Sequence, residues 1–157
     1  MEAISDWKLK DWLEAAAYTV AILGAIAGAA IFVVNARANA IEANRTVLTR
    51  AWTNEGDILA TDTKFVDLLL ENHDGDIIGT LNSPSLDQPL DVSVDVGWFY
   101  STLSITQLQG RTIAPIATVK LKIAGNDNRL LWQSETLQLP DYLPKSTSLW
   151  PHPTVHQ

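Results

Sequence analysis

The stretch "LDVSVDVGW", residues 90–98, alternates apolar and polar side chains at every step. This period of two is typical of a strand in an antiparallel sheet that is buried on one face. The predicted buried face holds Leu90, Val92, Val94, Val96 and Trp98. A second stretch, "ATVKLKI" at 117–123, repeats the alternation. Together the two stretches predict an all-β domain in the C-terminal part of the chain.

The segments around these two strands extend the same prediction. Turn residues that tolerate a positive φ occur at Asp74-Gly75, at Gly110 and in "GNDN" at 125–128. Seven or eight short antiparallel strands with no helix between them predict a meander closed as a small β-barrel, with a β-sandwich as the alternative. Further strands are predicted near 65–72, 76–82, 101–108 and 129–138. The predicted β-barrel domain covers 51–139.

An uncharged apolar segment, "AAAYTVAILGAIAGAAIFVV" at 15–34, precedes this domain. As a helix it would be about 30 Å long, which is the thickness of a bilayer's hydrocarbon core. A single transmembrane helix is therefore predicted, and a cleaved signal peptide is the less favoured alternative because the segment is long and its N-terminal flank is not basic overall. Residues 1–14, with Trp7 and Trp12, are predicted to be an amphipathic interfacial segment. Residues 35–50 contain no glycine or proline and predict a helical stalk.

Small residues recur every four positions inside the apolar segment. Gly24 and Gly28 form a Gly-x-x-x-Gly pair, and alanines with the same spacing flank them. Small residues at this spacing allow two membrane helices to approach closely. The predicted helix-packing face consists of Ala17, Ala21, Gly24, Ala25, Gly28 and Ala29. Its expected partners are lipid and other transmembrane helices, from further copies or from unlike subunits.

The charge of the chain excludes some classes of partner. The net charge is −7, and all of the excess lies in residues 51–157, which hold six basic and thirteen acidic residues. General nucleic-acid binding is not expected on such a surface. Basic residues flank the apolar segment on both sides, with more after it (Arg37, Arg45 and Arg50) than before it (Lys8 and Lys10). This count favours a cell-membrane protein whose C-terminal domain is cytoplasmic.

The sequence carries no recognisable catalytic motif. Cysteine is absent, which excludes disulfides, thiolate metal ligands and cysteine nucleophiles. His73 falls in a predicted turn, and Pro151 and Pro153 break any helix that would bring His152 and His156 to one face. We therefore expect no enzyme activity, no cofactor and no metal site.

Two features of the β domain are candidates for ligand binding. Four of its basic residues fall on adjacent predicted strands, where they would either converge on a small anionic ligand or remain as solvent-facing charges. They are Arg111, Lys120, Lys122 and Arg129. In "GWFYS" at 97–101, Trp98 continues the apolar face and Phe99 is expected on the opposite face. Phe99 is thus a candidate pocket wall or protein contact, with a simple bend at the strand end as the alternative.

The C-terminal residues 140–157 are rich in proline and show no strand pattern. They predict an extended tail. Leu149 and Trp150 are apolar groups within it that require an apolar groove. That groove belongs either to their own domain or to a partner.

Three short motifs of the β domain resemble those of avidin-like and lipocalin-like up-and-down barrels. "AWTNEGD" at 51–57 is similar to the Trp-Thr-Asn strand with which these barrels begin, "GDIIGTLNS" at 75–83 to their Gly-Thr strand, and "RLLWQ" at 129–133 to their late tryptophan. The resemblance implies an up-and-down barrel. No biotin function is carried over from the resemblance, because the polar residues that contact biotin in avidins cannot be assigned one by one here.

The order of a membrane helix followed by a small barrel resembles membrane-anchored effectors of bacterial cyclic-oligonucleotide defence systems. In those effectors a barrel senses a nucleotide and membrane helices, often two, oligomerise. The resemblance implies an oligomerising sensor or effector in anti-phage defence. The alternative from the residues alone is an accessory subunit of a larger membrane complex, in which helix, stalk and tail are contact surfaces.

Overall fold

The fold is given by a computed structural model, which describes residues 3–58, 64–109, 112–125, 129–138 and 142–152. The chain divides into two compact units, Met1–Asn39 and Ala40–Gln157. In its described residues the first unit is entirely helical, and the second contains a β-barrel.

Helix α1 covers Ala3–Leu48. Within it, Leu9–Leu48 is long and apolar enough to cross a membrane, by length and composition, and a signal sequence near an N-terminus satisfies the same criteria. Ile26 and Phe32 of the first unit are 61% and 73% exposed. The apolar segment is therefore helical as predicted, and no described part of the chain buries its most apolar window.

The second unit is an all-antiparallel barrel in which every strand pairs with its neighbours in sequence. The barrel is closed because β1 pairs with both β2 and β8. This confirms the predicted meander and barrel, and the alternative of a sandwich is wrong. A short helix, α2 (Glu55–Ile58), follows β1. The strands are β1 (Ala51–Thr53), β2 (Asp67–His73), β3 (Asp76–Asn82), β4 (Leu90–Asp95), β5 (Ser101–Gln109), β6 (Thr112–Ala124), β7 (Arg129–Leu137) and β8 (Ser146–Pro151).

The predicted alternation is seen in the burial of β4 and β6. Leu90, Val92 and Val94 are buried, whereas the residues between them are exposed. On β6, Val119 and Leu121 point into the same core. The period of two in the sequence therefore corresponds to one face inside the barrel and one face outside.

A bulge interrupts this alternation on β6. Ile105 of β5 pairs with Ala117, but Thr106 pairs with Pro115, so that Ile116 is an extra residue. Ile116 and Ala117 are consequently both buried. Proline is tolerated in a strand at such a bulge, where the regular hydrogen-bond ladder is already broken. The strand pairs with β5 on both sides of the bulge, so β6 begins at Thr112, before the stretch that alternates with a period of two.

The last turns of α1 belong to the barrel unit rather than to a free stalk. Leu48 is fully buried in the barrel core and Val47 packs against it. Trp52 Nε1 donates a hydrogen bond to the Leu48 carbonyl at 3.0 Å, and the Arg50 guanidinium lies 5.4 Å from the centre of the Trp52 ring. The predicted stalk 35–50 is thus divided between the two units, and its final residues help to close one end of the barrel.

The predicted tail 140–157 contains the last strand of the barrel, which corrects the boundary at 139. β8 pairs with β7 over Leu130↔Leu149 to Gln133↔Ser146 and with β1 over Trp52↔Pro151 and Thr53↔Trp150. Its burial alternates, but six residues bounded by prolines are too few for the pattern to stand out in the sequence. Residues Ser146–Pro151 of this segment are therefore barrel wall.

Candidate interaction surfaces

The barrel interior is a packed core. Buried apolar side chains from all eight strands and from the end of α1 form one cluster, in which Trp52 and Trp132 are the largest fully buried groups. A barrel of eight strands is just wide enough to be filled by side chains. Among the described residues, the interior therefore forms a hydrophobic core.

Grooves are found on the outer surface instead. One of about 480 Å³ crosses β3 and β4 around Gly79, and one of about 230 Å³ lies beside the connection between β3 and β4. Neither groove is lined by Phe99, Lys120 or Lys122.

Three of the four basic candidates lie on the adjacent strands β6 and β7 among the described residues. Arg111 lies outside them. Lys120 and Lys122 alternate with buried residues on β6, so both face outward, and Arg129 pairs with Ala124 at the start of β7. The adjacency of the strands was predicted, whereas the pairing of their charges was not.

The positive charge of Lys120 is paired with an acidic residue on the next strand. Its ammonium group forms an ion pair with Glu135 of β7 and lies 5.1 Å from the centre of the Tyr100 ring. The hydrogen bond to Glu135, followed by the charge of that carboxylate, raises the pKa of Lys120 above its usual value. The pair holds Lys120 on the outer wall, in agreement with the alternative interpretation of solvent-facing charges.

Phe99 belongs to a connection rather than to a strand face. β4 ends at Asp95 and β5 begins at Ser101, so residues 96–100 form a loop, which we call the aromatic loop. The rings of Trp98 and Phe99 are stacked, with centroids 4.5 Å apart and planes at 23°. Trp98 therefore does not continue the buried face of β4, and the two rings do not point to opposite sides as predicted. The chain turns after Asp95, which ends the alternation.

Two polar features hold the aromatic loop in place. Asn44 Nδ2, in the last turns of α1, donates hydrogen bonds to the carbonyls of Gly97 at 2.9 Å and Trp98 at 3.1 Å. A Cβ at residue 97 would lie 2.0 Å from the Tyr100 carbonyl oxygen, so the turn requires glycine. Asn44 was not identified from the sequence, where its signal is an amide side chain in an alanine-rich helix.

The predicted helix-packing face lies on the exposed helix of the first unit. Ala17, Ala21, Gly24, Ala25, Gly28 and Ala29 are all helical and exposed. A Cβ built at Gly24 or Gly28 would meet no atom within 4 Å. The face is therefore open to a neighbouring helix, and its role in packing stays a prediction.

The two partner-contact candidates of the C-terminal segment have different environments. Leu149 is fully buried in the barrel core, so it is not available to a partner, and this prediction is wrong. Trp150 is partly exposed, and its ring packs 3.7 Å from the position of a Cβ at Gly56 in α2. The apolar groove that this segment requires is largely supplied by its own domain.

No protein-family model, curated protein or solved structure matches this chain. Of the predicted resemblance, the structure shows the architecture alone: a long apolar helix followed by a closed, eight-stranded antiparallel barrel.

Proposed function

We propose that this chain is a non-enzymatic, single-pass protein of the cell membrane whose helix associates with other transmembrane helices and whose barrel is a rigid binding module. The observation that carries the proposal is the exposed apolar surface of α1. Side chains such as Ile22, Leu23 and Ile26 are 58–61% exposed, and no part of the described chain covers the most apolar window of the helix. Lipid and neighbouring helices are the surroundings that satisfy such a surface.

The helix itself supplies the assembly surface in this proposal. Without a hydrophobic driving force between helices in lipid, association depends on close packing, which the open faces at Gly24 and Gly28 permit. The barrel would then be held at the membrane surface, with the cytoplasmic side favoured by the basic residues that follow the span.

A double substitution on the small-residue face tests this assembly. Gly24→Leu with Gly28→Leu is expected to leave membrane insertion intact and to abolish or weaken the assembly, because two large side chains prevent the close approach. Ile22→Leu with Ile26→Leu is the matched control, since it leaves the small residues unchanged. The measurement is the mass of the detergent-solubilised protein on native gels and by light scattering. An unchanged mass in the glycine variant argues against the proposed packing face.

The identity of the partner helix distinguishes two forms of the proposal. In the first, copies of this chain assemble as a sensor or effector, with anti-phage defence as the setting implied by the resemblance. In the second, the chain is an accessory subunit of a larger membrane complex. Purification of the tagged protein in mild detergent separates them: discrete homo-oligomers support the first form, and a stable set of unlike subunits supports the second.

Sensing of a nucleotide is the narrower part of the first form. We expect any anionic ligand on the outer wall near Lys122, because apolar side chains fill the described interior and Lys120 is paired with Glu135. Thermal unfolding of the full chain with and without cyclic nucleotides tests it. A raised midpoint that Lys122→Ala abolishes supports nucleotide binding at that wall, and an unchanged midpoint with every nucleotide removes the sensing hypothesis.

A further inference from the structure

The aromatic loop exposes three consecutive rings to solvent. Trp98, Phe99 and Tyr100 are 38%, 70% and 51% exposed. Large aromatic side chains dominate the energetics of interfaces, and a contiguous exposed group of them marks a contact surface on a soluble domain. The loop is also rigidly held, because Asn44 bonds two of its carbonyls.

The loop lies at the end of the barrel to which α1 is attached. β1 begins at this end directly after the helix, and the antiparallel order places the end of β4 and the start of β5 there as well. The hydrogen bonds from Asn44 join the loop to the helix itself. The opposite end carries the connection between β3 and β4 and the start of β6.

Few residues separate the apolar segment from Asn44, which bonds the aromatic loop. Residues 35–43 separate Val34 from Asn44, and a chain of that length spans at most about 35 Å even when fully extended. A surface tethered so closely to a membrane meets it at high effective concentration, so even a weak intrinsic affinity is sufficient for binding.

We propose that the aromatic loop inserts Trp98, Phe99 and Tyr100 into the headgroup region of the same bilayer that α1 crosses, which makes it a second membrane contact of the chain. Tryptophan and tyrosine favour this region because their rings are apolar and carry one polar group. The excess of acidic residues in 51–157 disfavours a purely electrostatic attraction to anionic lipid, so the aromatic side chains provide the contact. The inference rests on the proposed membrane anchor and adds a docked orientation of the barrel.

Single labelled cysteines test the inference in the full chain, which contains no natural cysteine. Phe99→Cys carries a nitrobenzoxadiazole label at the loop. Ile113→Cys is the matched control, because Ile113 is 68% exposed and apolar but lies at the opposite end of the barrel. Ile26→Cys reports on the span. Each variant is reconstituted into phosphatidylcholine vesicles with nitroxide lipids, labelled either on the headgroup or within the acyl chain.

Headgroup nitroxide is expected to quench most of the fluorescence at residue 99 and little at residue 113. Adding Trp98→Ser to the labelled Phe99→Cys variant should reduce the quenching, because it removes a second inserted ring. Equal quenching at 99 and 113, with the label at 26 quenched by acyl-chain nitroxide, overturns the loop contact and leaves the anchor intact. A label at 26 that acyl-chain nitroxide does not quench overturns the anchor as well. Self-quenching at 99 that rises with protein density, without nitroxide quenching, overturns the lipid contact in favour of a second copy.

Discussion

Single residues set the close approaches within the barrel wall. Gly79 of β3 lies where a Cβ would be 1.8 Å from the Leu69 carbonyl oxygen of β2. That neighbour is backbone, so it cannot move aside as a flexible side chain does. Asn54 also fixes the backbone of a neighbouring segment, through hydrogen bonds. Its fully buried amide donates to the Lys64 carbonyl at 2.6 Å and accepts from Val66 N–H at 2.7 Å, which fixes the chain that leads into β2.

Gly79→Ala should destabilise the barrel strongly. The added methyl group requires β2 and β3 to separate, and we expect a loss of at least about 2 kcal/mol in the free energy of unfolding, in the range of strained or overpacked sites. Gly125→Ala is the control, because a Cβ there meets nothing within 4 Å. Urea unfolding followed by tryptophan fluorescence measures both variants. Equal midpoints would show that the strands can relax around the methyl group.

Asn54→Ala should also destabilise the barrel, for a different reason. The substitution leaves the buried Val66 N–H without its acceptor and removes the bond to the Lys64 carbonyl, and an unsatisfied buried group costs about 1–3 kcal/mol. Asn82→Ala, on an exposed position of β3, is the matched control. Thermal unfolding by circular dichroism compares the two, and a loss no larger for Asn54→Ala than for Asn82→Ala contradicts the structural role.

At the scale of elements, β8 decides whether the sheet is a barrel. β1 is three residues long and pairs with β8 at two positions, and His152 N–H adds a hydrogen bond to the Ala51 carbonyl at 3.0 Å. Without β8, both β1 and β7 would have an unpaired edge. The strand remains in place through its buried side chains, Thr147 and Leu149.

Leu149→Ala tests whether this segment is barrel wall. Truncation of a fully buried leucine typically costs about 2–5 kcal/mol through lost burial and the cavity left behind. Leu69→Ala is the matched control, because Leu69 is 42% exposed on the outer face of β2. Denaturant unfolding measures both variants. A small and equal effect of the two substitutions would mean that Leu149 contributes no more than a surface leucine.

At the scale of the whole molecule, the boundary between the two units falls inside one helix. The second unit begins at Ala40, so it includes the helical residues that complete the barrel core. The barrel therefore carries its own cap, and the exposed apolar helix belongs to the other unit.

A fragment that begins at Ala40 should fold cooperatively and remain soluble without detergent, whereas the full chain should require detergent or lipid. A fragment that begins at Ala51 is the comparison. It lacks the Leu48 side chain and the carbonyl that accepts from Trp52 Nε1, and loss of such a buried leucine alone costs about 2–5 kcal/mol. Calorimetry or urea unfolding compares the fragments. Equal stability would show that the end of α1 is dispensable for the barrel.

Elements with local signals were predictable from the amino-acid pattern alone. Leu90, Val92 and Val94 alternate with polar residues because a strand turns successive side chains to opposite faces. The uncharged run around Gly24 and Gly28 marks a helix of membrane length for an equally local reason. The alternation does not distinguish a barrel from a sandwich, because both architectures have strands with one buried and one exposed face.

Features that depend on contacts between distant residues became visible in the three-dimensional structure. Leu149 is part of the core because β8 closes the sheet between β1 and β7. The charge of Lys120 is compensated because Glu135 lies on the neighbouring strand. Trp98 lies in a loop whose carbonyls accept hydrogen bonds from Asn44, more than fifty residues earlier. A periodicity records which face a side chain occupies but not which distant residue it meets. The closure of the barrel and its packing against the end of α1 determine which distant residues contact each other.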